Sequence, residues 1–280
     1  MRQETPTLQQ LLSSAGIKRR FEELLDNSAP SFISSILTIV NSNPKLKECS
    51  PNSILSAAGI AAALKLPINP SLGFAHIVPY KSKGGTQAQF QLGFRGYVQL
   101  AMRSGQYRTL NSGAVCEGQI KEIDFVTGEI IRGEKISDNV VGYVAYMELI
   151  NGFKKSLYMT NEELQAHAEK YSQSYTYDLR SGKKSSVWST NFDAMAKKTV
   201  LKKLLSTFGI ISIDQQSVAL ATALQADQAV ITDEGFRYID NEHGEEKIVP
   251  FSDVIELPND DSSSDYEPPE DNPPTDADKN

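Results

Sequence analysis

LGFAHIVPYKSKGGTQAQFQLGFRGYVQLAMRSGQ, residues 72–106, runs strand, turn, strand and helix within one short segment. Leu72–Tyr80 and Thr86–Leu92 carry the apolar and β-forming residues of two strands, and the Lys-Ser-Lys-Gly-Gly stretch between them is a turn. From Phe94 to Ser104 the spacing becomes helical. Arg95, Gln99 and Arg103 fall on one side, opposite Phe94, Val98 and Ala101. One side is thus expected to pack and the other to bind.

Downstream, strands are expected at Tyr107–Glu117, Ile120–Val126, Glu129–Arg132, Val140–Leu149 and Lys154–Tyr158. The Asn151-Gly152 pair marks a hairpin. Thr160 with Glu163 three positions on opens a helix as a capping box. Upstream, Ser31–Val40 and Ser53–Leu64 have helical spacing, while residues 1–30 form an amphipathic lead expected to order only when a neighbour covers it. Residues 171–186, rich in Ser, Tyr and Lys, read as a mobile basic loop, and a long helix covers Asn191–Phe208. A shorter helix at about Gln215–Gln225 leads into a tail almost without aliphatic residues, expected to be disordered. Strands grouped in the middle with helices on either side predict an α+β fold: central antiparallel hairpins and sheet packed with helices. Three parts follow, namely an N-terminal helical, oligomer-forming lead (1–30), a core (31–210) and an acidic, partner-binding C-terminal region (211–280).

The formal net charge of −7 hides a strong asymmetry. Residues 1–210 hold 25 Lys and Arg against 17 Asp and Glu, whereas residues 211–280 hold 3 against 18. A basic body can release counterions from a phosphate backbone, and an acidic tail repels that backbone or binds something basic. Acidic termini also simply keep proteins soluble. No apolar run reaches the roughly 18 residues of a membrane span, and the N-terminus lacks a secretory pattern, so a cytoplasmic location is expected. Cys49 and Cys116 stand apart from each other and from the histidines, which reads as two buried thiols.

Two blocks carry candidate chemistry. Gln89–Asn111 contains no carboxylate: Arg95, Arg103 and Arg108 suit phosphate, Tyr97 and Tyr107 offer ring faces to bases, and Gln89, Gln91 and Asn111 suit sugar, phosphate or base edges. Trp188–Phe208 adds Lys197, Lys198, Lys202 and Lys203, with Trp188 as a further stacking platform; Lys81 and Lys83 in the hairpin turn complete the set. On the long helix, Val200, Leu201, Leu204, Leu205 and Phe208 share an apolar arc. Lys198, Lys202 and Lys203 lie across from it, and Lys197 falls inside it. Lysines on a surface helix are also an ordinary solvated face, and Tyr97 and Trp188 are commonly packing aromatics. Replacing Lys198 or Arg95 by alanine is expected to weaken DNA binding without unfolding the chain.

Enzyme motifs are sparse. Ser181–Ser185 (SGKKS) superficially resembles a phosphate loop, but Lys184 takes the Ser/Thr position and Tyr177 that of the first glycine. ATP use is not implied, nor is any other cofactor or metal. Glu117, Glu122 and Asp124 leave open a metal-dependent nuclease, against the plainer reading of a charged hairpin edge.

In order and separation, LGFAHIVPY (72–80), FQLGFRGYVQLAMRSGQ (90–106), VCEG (115–118) and WSTNFDAMAKKT (188–199) resemble the RecT family of phage recombinases, single-strand annealing proteins related to phage λ Redβ. The likeness spans roughly residues 30–215. It implies an ATP-independent protein that coats single-stranded DNA, pairs it with a complementary strand, and works as a ring or filament beside an exonuclease. It also implies an α+β core whose sheet and long helix form a basic groove, with Arg95, Tyr97 and Arg103 in the RGY and RSG motifs and Lys197, Lys198 and Lys203 in the AKKT helix. The tail then matches the variable end of the family, a place for the exonuclease or a host single-strand binding protein.

Overall fold

The computed structural model describes residues 6–82 and 85–209, together with Ala223, Ala226, Asp227 and residues 229–232, 235–238 and 248–249. The expected disordered tail and most of the helix at 215–225 lie outside the described residues, as does Lys83.

The N-terminal lead is folded onto the body. Helix α1 (Leu8–Ser13) begins with a Thr7–Gln10 capping box, α2 (Ala15–Leu25) follows, and the two bury Leu12 and Phe21. The Phe21 ring meets Phe32 of α3 (Ala29–Ser42) at 5.8 Å. A short turn of helix, α4 (Pro44–Lys47), leads to α5 (Pro51–Ala63). In α5, Ala57, Ala58, Ala61 and Ala62 are fully buried. Small side chains all round let neighbours approach this helix from several directions, so it serves as the centre of a first core.

Strands β1 (Ala75–Ser82) and β2 (Gly85–Leu92) pair antiparallel in the register Ala75↔Leu92 to Ser82↔Gly85. Helix α6 (Phe94–Arg103) then turns back along the hairpin's base. Here the glycines of LGFRG act sterically. A β-carbon on Gly93 would stand 2.1 Å from the Gly73 carbonyl oxygen, and one on Gly96 2.2 Å from that of Phe74. Only bare backbone allows α6 to lie this close to the entry of β1. The buried face of α6 is Gly96, Tyr97, Leu100 and Ala101, rotated from the Phe94–Val98–Ala101 face that spacing alone suggested, and Phe94 is exposed.

A second core forms beneath a three-stranded antiparallel sheet in the order β3 (Tyr107–Cys116), β6 (Val140–Leu149), β7 (Lys154–Thr160). Between β3 and β6, a small hairpin of β4 (Ile120–Ile123) and β5 (Ile130–Arg132) projects as a separate ribbon. Thr160 and Glu163 form the capping box of α7 (Asn161–Tyr171). Residues 171–186 are not the mobile loop expected. They hold α8 (Gln173–Ser181) and a connection that runs into α9 (Val187–Thr190). The reason is Asp178. Its buried carboxylate accepts hydrogen bonds from the Ser185 and Ser186 amides and the Ser185 and Ser189 hydroxyls at 2.7–2.9 Å, clamping the polar segment to α8.

Helix α10 (Phe192–Phe208), capped by Asn191, joins the two cores: Leu201 and Leu205 belong to the first, and Ala196, Val200 and Leu204 to the second. Beyond it, β8 (Ala229–Thr232), β9 (Gly235–Tyr238) and β10 (Ile248–Val249) form a further antiparallel sheet that the sequence reading did not anticipate. Every strand pair described is antiparallel, and the fold is α+β. Both cysteines are free thiols; Cys49 is buried and Cys116 half-buried.

Candidate nucleic-acid interface

Lys198 and Lys202 lie one turn apart on α10 and so point the same way. That direction is inward. Their ammonium groups stand 4.0 Å and 2.7 Å from the carboxylate of Asp227, which is fully buried although it comes from the acidic C-terminal region. The same carboxylate accepts the Leu92 amide at 2.8 Å and the Tyr97 hydroxyl at 2.6 Å. One aspartate thereby joins β2, α6 and α10 where the two cores meet.

The electrostatics of this hub follow from burial and pairing. Burial alone would raise the Asp227 pKa, but Lys198, Lys202 and the hydrogen bonds from Lys202 and Tyr97 bring it down to about 2. Lys198 is shifted downward because burial, reinforced by Lys202, outweighs the attraction of Asp227. Burial and then Asp227 raise Tyr97 well above its ordinary value, so it remains a neutral donor. Burial, and next Lys198, lower the pKa of His76 on β1, with Asp227 opposing.

This geometry revises the solvent-facing placement of Lys198 and Lys202, and several other candidates are enclosed or engaged within the fold. Tyr97 is wholly enclosed and has no ring face open to a base. Gln89 is buried. Trp188 is buried among aromatics, 5.6 Å from Phe192, 6.3 Å from Tyr175 and 6.5 Å from His167. Arg103 donates at 2.8 Å and 3.1 Å to the carbonyls of Leu64 and Lys65, closing the C-terminal end of α5.

Arg103 is itself exposed, and the remaining candidates also reach solvent. Lys81 and Arg95 are exposed, and Arg95 makes one long 3.4 Å contact to the Leu72 carbonyl. Arg108 is the extra residue of a bulge between the Tyr107↔Leu149 and Thr109↔Glu148 pairs, which turns its guanidinium outward to Glu148 at 3.1 Å. Asn111 is exposed, whereas Gln91 and Tyr107 are half-buried. Lys197 bonds Asp193 one turn earlier at 2.8 Å, and this explains its place inside the apolar arc. Lys203 is exposed.

Lys203 also lines an open cavity of about 480 Å³ with His167, Lys170, Tyr158, Tyr171 and Glu163. Two cations beside aromatic rings are suited to phosphate and base faces. The sequence reading did not find Lys170 or Tyr171, because they sit on α7, far along the chain from the basic blocks. Burial, then Lys203, Lys202 and Lys170, push His167 down to about 4. A histidine depressed in the fold binds its proton more readily when unfolded, so it imposes no penalty above about pH 6.5 and an increasing one as pH falls toward 4. We expect urea stability to decline across that interval and His167→Gln to flatten the decline; an unchanged pH profile in the variant contradicts this assignment.

The three carboxylates considered for metal chemistry do not converge. Asp124 accepts the Val126 and Thr127 amides of its own turn at 2.8 Å and 3.0 Å, and Glu117 accepts the Ser137 hydroxyl at 2.8 Å. Among the described residues, no group of three His, Cys, Asp or Glu side chains is arranged to hold a metal ion. Also among them, no helix is long and apolar enough to cross a membrane.

Comparison with known proteins agrees with the motifs. The chain is 43% identical over 236 residues to an uncharacterized protein, YqaK, of Bacillus subtilis (strain 168), covering 84% of this chain and 78% of that one. It is 27% identical over 226 residues to Protein RecT of Escherichia coli (strain K12), covering 76% and 80% respectively. The model of the RecT family matches residues 30–247, a span that takes in the second core, most of the first, α10 and the Asp227 hub, and the chain belongs to the RecT family.

Proposed function

We propose that this protein binds single-stranded DNA and anneals complementary strands without nucleotide hydrolysis, acting as an oligomer in recombination of the phage type. The observation that carries this reading is family membership across residues 30–247. The surface supports it: Lys81, Arg95 and Lys203 remain exposed after the interior has taken Lys198, and Lys170 joins Lys203 at the α7 cavity. Annealing of arbitrary sequences needs contacts to backbone and base faces that leave pairing edges open, and lysine, arginine and tyrosine provide these. The drive comes from base pairing and from contacts between subunits. The reading places the protein in the bacterial cytoplasm, with no cofactor, and gives the acidic C-terminal region to a partner exonuclease or a host single-strand binding protein.

The test mixes two complementary labelled oligonucleotides with the protein in the absence of ATP, alongside a noncomplementary pair. Duplex formation faster than the protein-free control and restricted to the complementary pair is expected. Binding without acceleration reduces the protein to a single-strand coat and overturns the annealing reading.

A further inference from the structure

The β4–β5 ribbon has a composition opposite to that of the body that carries it. Residues 117–138 hold six acidic and three basic side chains, while the rest of residues 1–210 holds 22 basic against 11 acidic. The ribbon is also apolar where it meets solvent: Phe125 is 95% exposed, Val126 75% and Ile136 77%. Such a cluster on a two-stranded ribbon is unusual, because an isolated hairpin has little to hold it in place.

This ribbon is nevertheless well fastened. At its root, the Glu117 amide bonds the Asn139 carbonyl, the Ile136 amide bonds that of Glu117, and the Gly133 amide bonds that of Gln119, each at 2.9 Å. Gly118, at φ +85°, allows the two sides to close, since a β-carbon there would stand 2.3 Å from the Glu134 carbonyl oxygen. At the tip, Asp124 caps the turn, and Lys155 of β7 donates to the Thr127 carbonyl at 2.7 Å. Phe125 and Val126 are therefore presented on a braced turn, and ordering them costs little on binding.

A complementary surface lies on the same chain. Tyr177 and Leu179 of α8 and Val187 of α9 are each more than half exposed. Tyr177 and Arg180, three positions apart, share one side of α8, with exposed Lys183 and Lys184 just beyond its end, and the Lys183 ammonium stands 5.9 Å from the Tyr177 ring centre; Leu179, two positions from Tyr177, lies on another side. The Asp178 clamp holds this segment to α8, so it too is preformed. Since ribbon and α8–α9 segment are both uncovered within one chain, they do not satisfy each other there.

We propose that the acidic, apolar-tipped β4–β5 ribbon of one copy docks on the basic side of α8 of the next, around Tyr177, Arg180 and Lys183. The occupant is a second copy of this chain because the sign of charge on each surface matches the other. Two different patches in contact make a heterologous interface, which propagates into a ring or an open filament instead of stopping at a dimer. The proposal rests on the oligomeric part of the function proposed above and assigns its contact surfaces.

Two full-length variants test it: Phe125→Asp with Val126→Asp at the tip, and Tyr177→Asp with Arg180→Asp at the receiver. Each is measured by sedimentation velocity with and without an oligothymidine strand. The parent is expected to form species of several copies. Each variant should associate about 30-fold more weakly or worse, the loss typical of an interface anchor. Mixed one to one, the variants should give dimers and nothing larger, since the pair has one working contact. Association of either variant like the parent, or a mixture that stays monomeric, overturns the proposal. Thermal melts verify folding, and exposed charge reversals (Glu122→Lys with Glu129→Lys, against Lys183→Glu with Lys184→Glu) provide a second pair that should associate only when mixed. Anisotropy with a short oligonucleotide separates the two ideas: a parent that associates through these surfaces but does not bind DNA defeats the function and not the interface.

Discussion

Asp227→Ala is expected to remove about 3–5 kcal/mol of stability, the range for breaking a buried ion pair by deleting one partner. Native proteins hold about 5–15 kcal/mol in total, so the loss should be plain in a urea midpoint. The size follows from what the substitution leaves behind. Lys198 would keep an enclosed ammonium group, and Lys202 a partly exposed one, with their shared carboxylate gone, and the Leu92 amide and Tyr97 hydroxyl would lose their acceptor. Asp227→Asn should lose less, because an amide oxygen still accepts from Leu92 or Tyr97. Adding Lys198→Met and Lys202→Met to Asp227→Ala should restore part of the stability, since the orphaned charges are then replaced by apolar side chains. A chain ended after residue 210 should behave no better than Asp227→Ala, whereas one ended after residue 249 keeps the hub. An Asp227→Ala midpoint equal to the parent's would mean that the hub contributes nothing to the fold.

The same hub explains which features could be read from the sequence. Local signals gave the strands from β1 to β7, the Asn151-Gly152 turn, the Thr160–Glu163 capping box and the ends of α10, because each depends on residues within a few positions. The role of Lys198 depends on Asp227, 29 positions later and within a stretch, residues 211–280, whose charged side chains are 18 acidic against 3 basic. Helical spacing gives the side of α10 on which Lys198 and Lys202 lie, but not which element covers that side. The segment at 171–186 illustrates the same point at shorter range. Its composition reads as solvated loop, and a single buried acceptor, Asp178, reverses that by collecting the amides and hydroxyls of the serines that follow. For α6, the two glycines were visible as letters, whereas the close approach to residues 73–74 that requires them exists only in the fold.

Separating the exposed cations from the buried ones leads to the second large effect. The triple substitution Lys81→Ala, Arg95→Ala and Lys203→Ala should lower affinity for a single-stranded oligonucleotide by one to two orders of magnitude at about 0.1 M salt. It should also flatten the logarithmic salt dependence by about 2, since each single-strand phosphate contact contributes about 0.7 to that slope. Stability should change little, because these side chains are exposed and their loss leaves no buried partner behind. Lys198→Met should do the reverse. It leaves the salt slope at the parent's value and alters the urea midpoint, because its ammonium group faces Asp227 in the interior. Nitrocellulose or anisotropy titrations from about 50 to 300 mM salt, run beside urea melts on the same samples, place each variant on both axes. If the triple variant keeps the parent's slope, the exposed set is not where DNA lies. If Lys198→Met flattens the slope with an unchanged melt, its ammonium must leave Asp227 to reach a phosphate, and the hub opens when DNA binds.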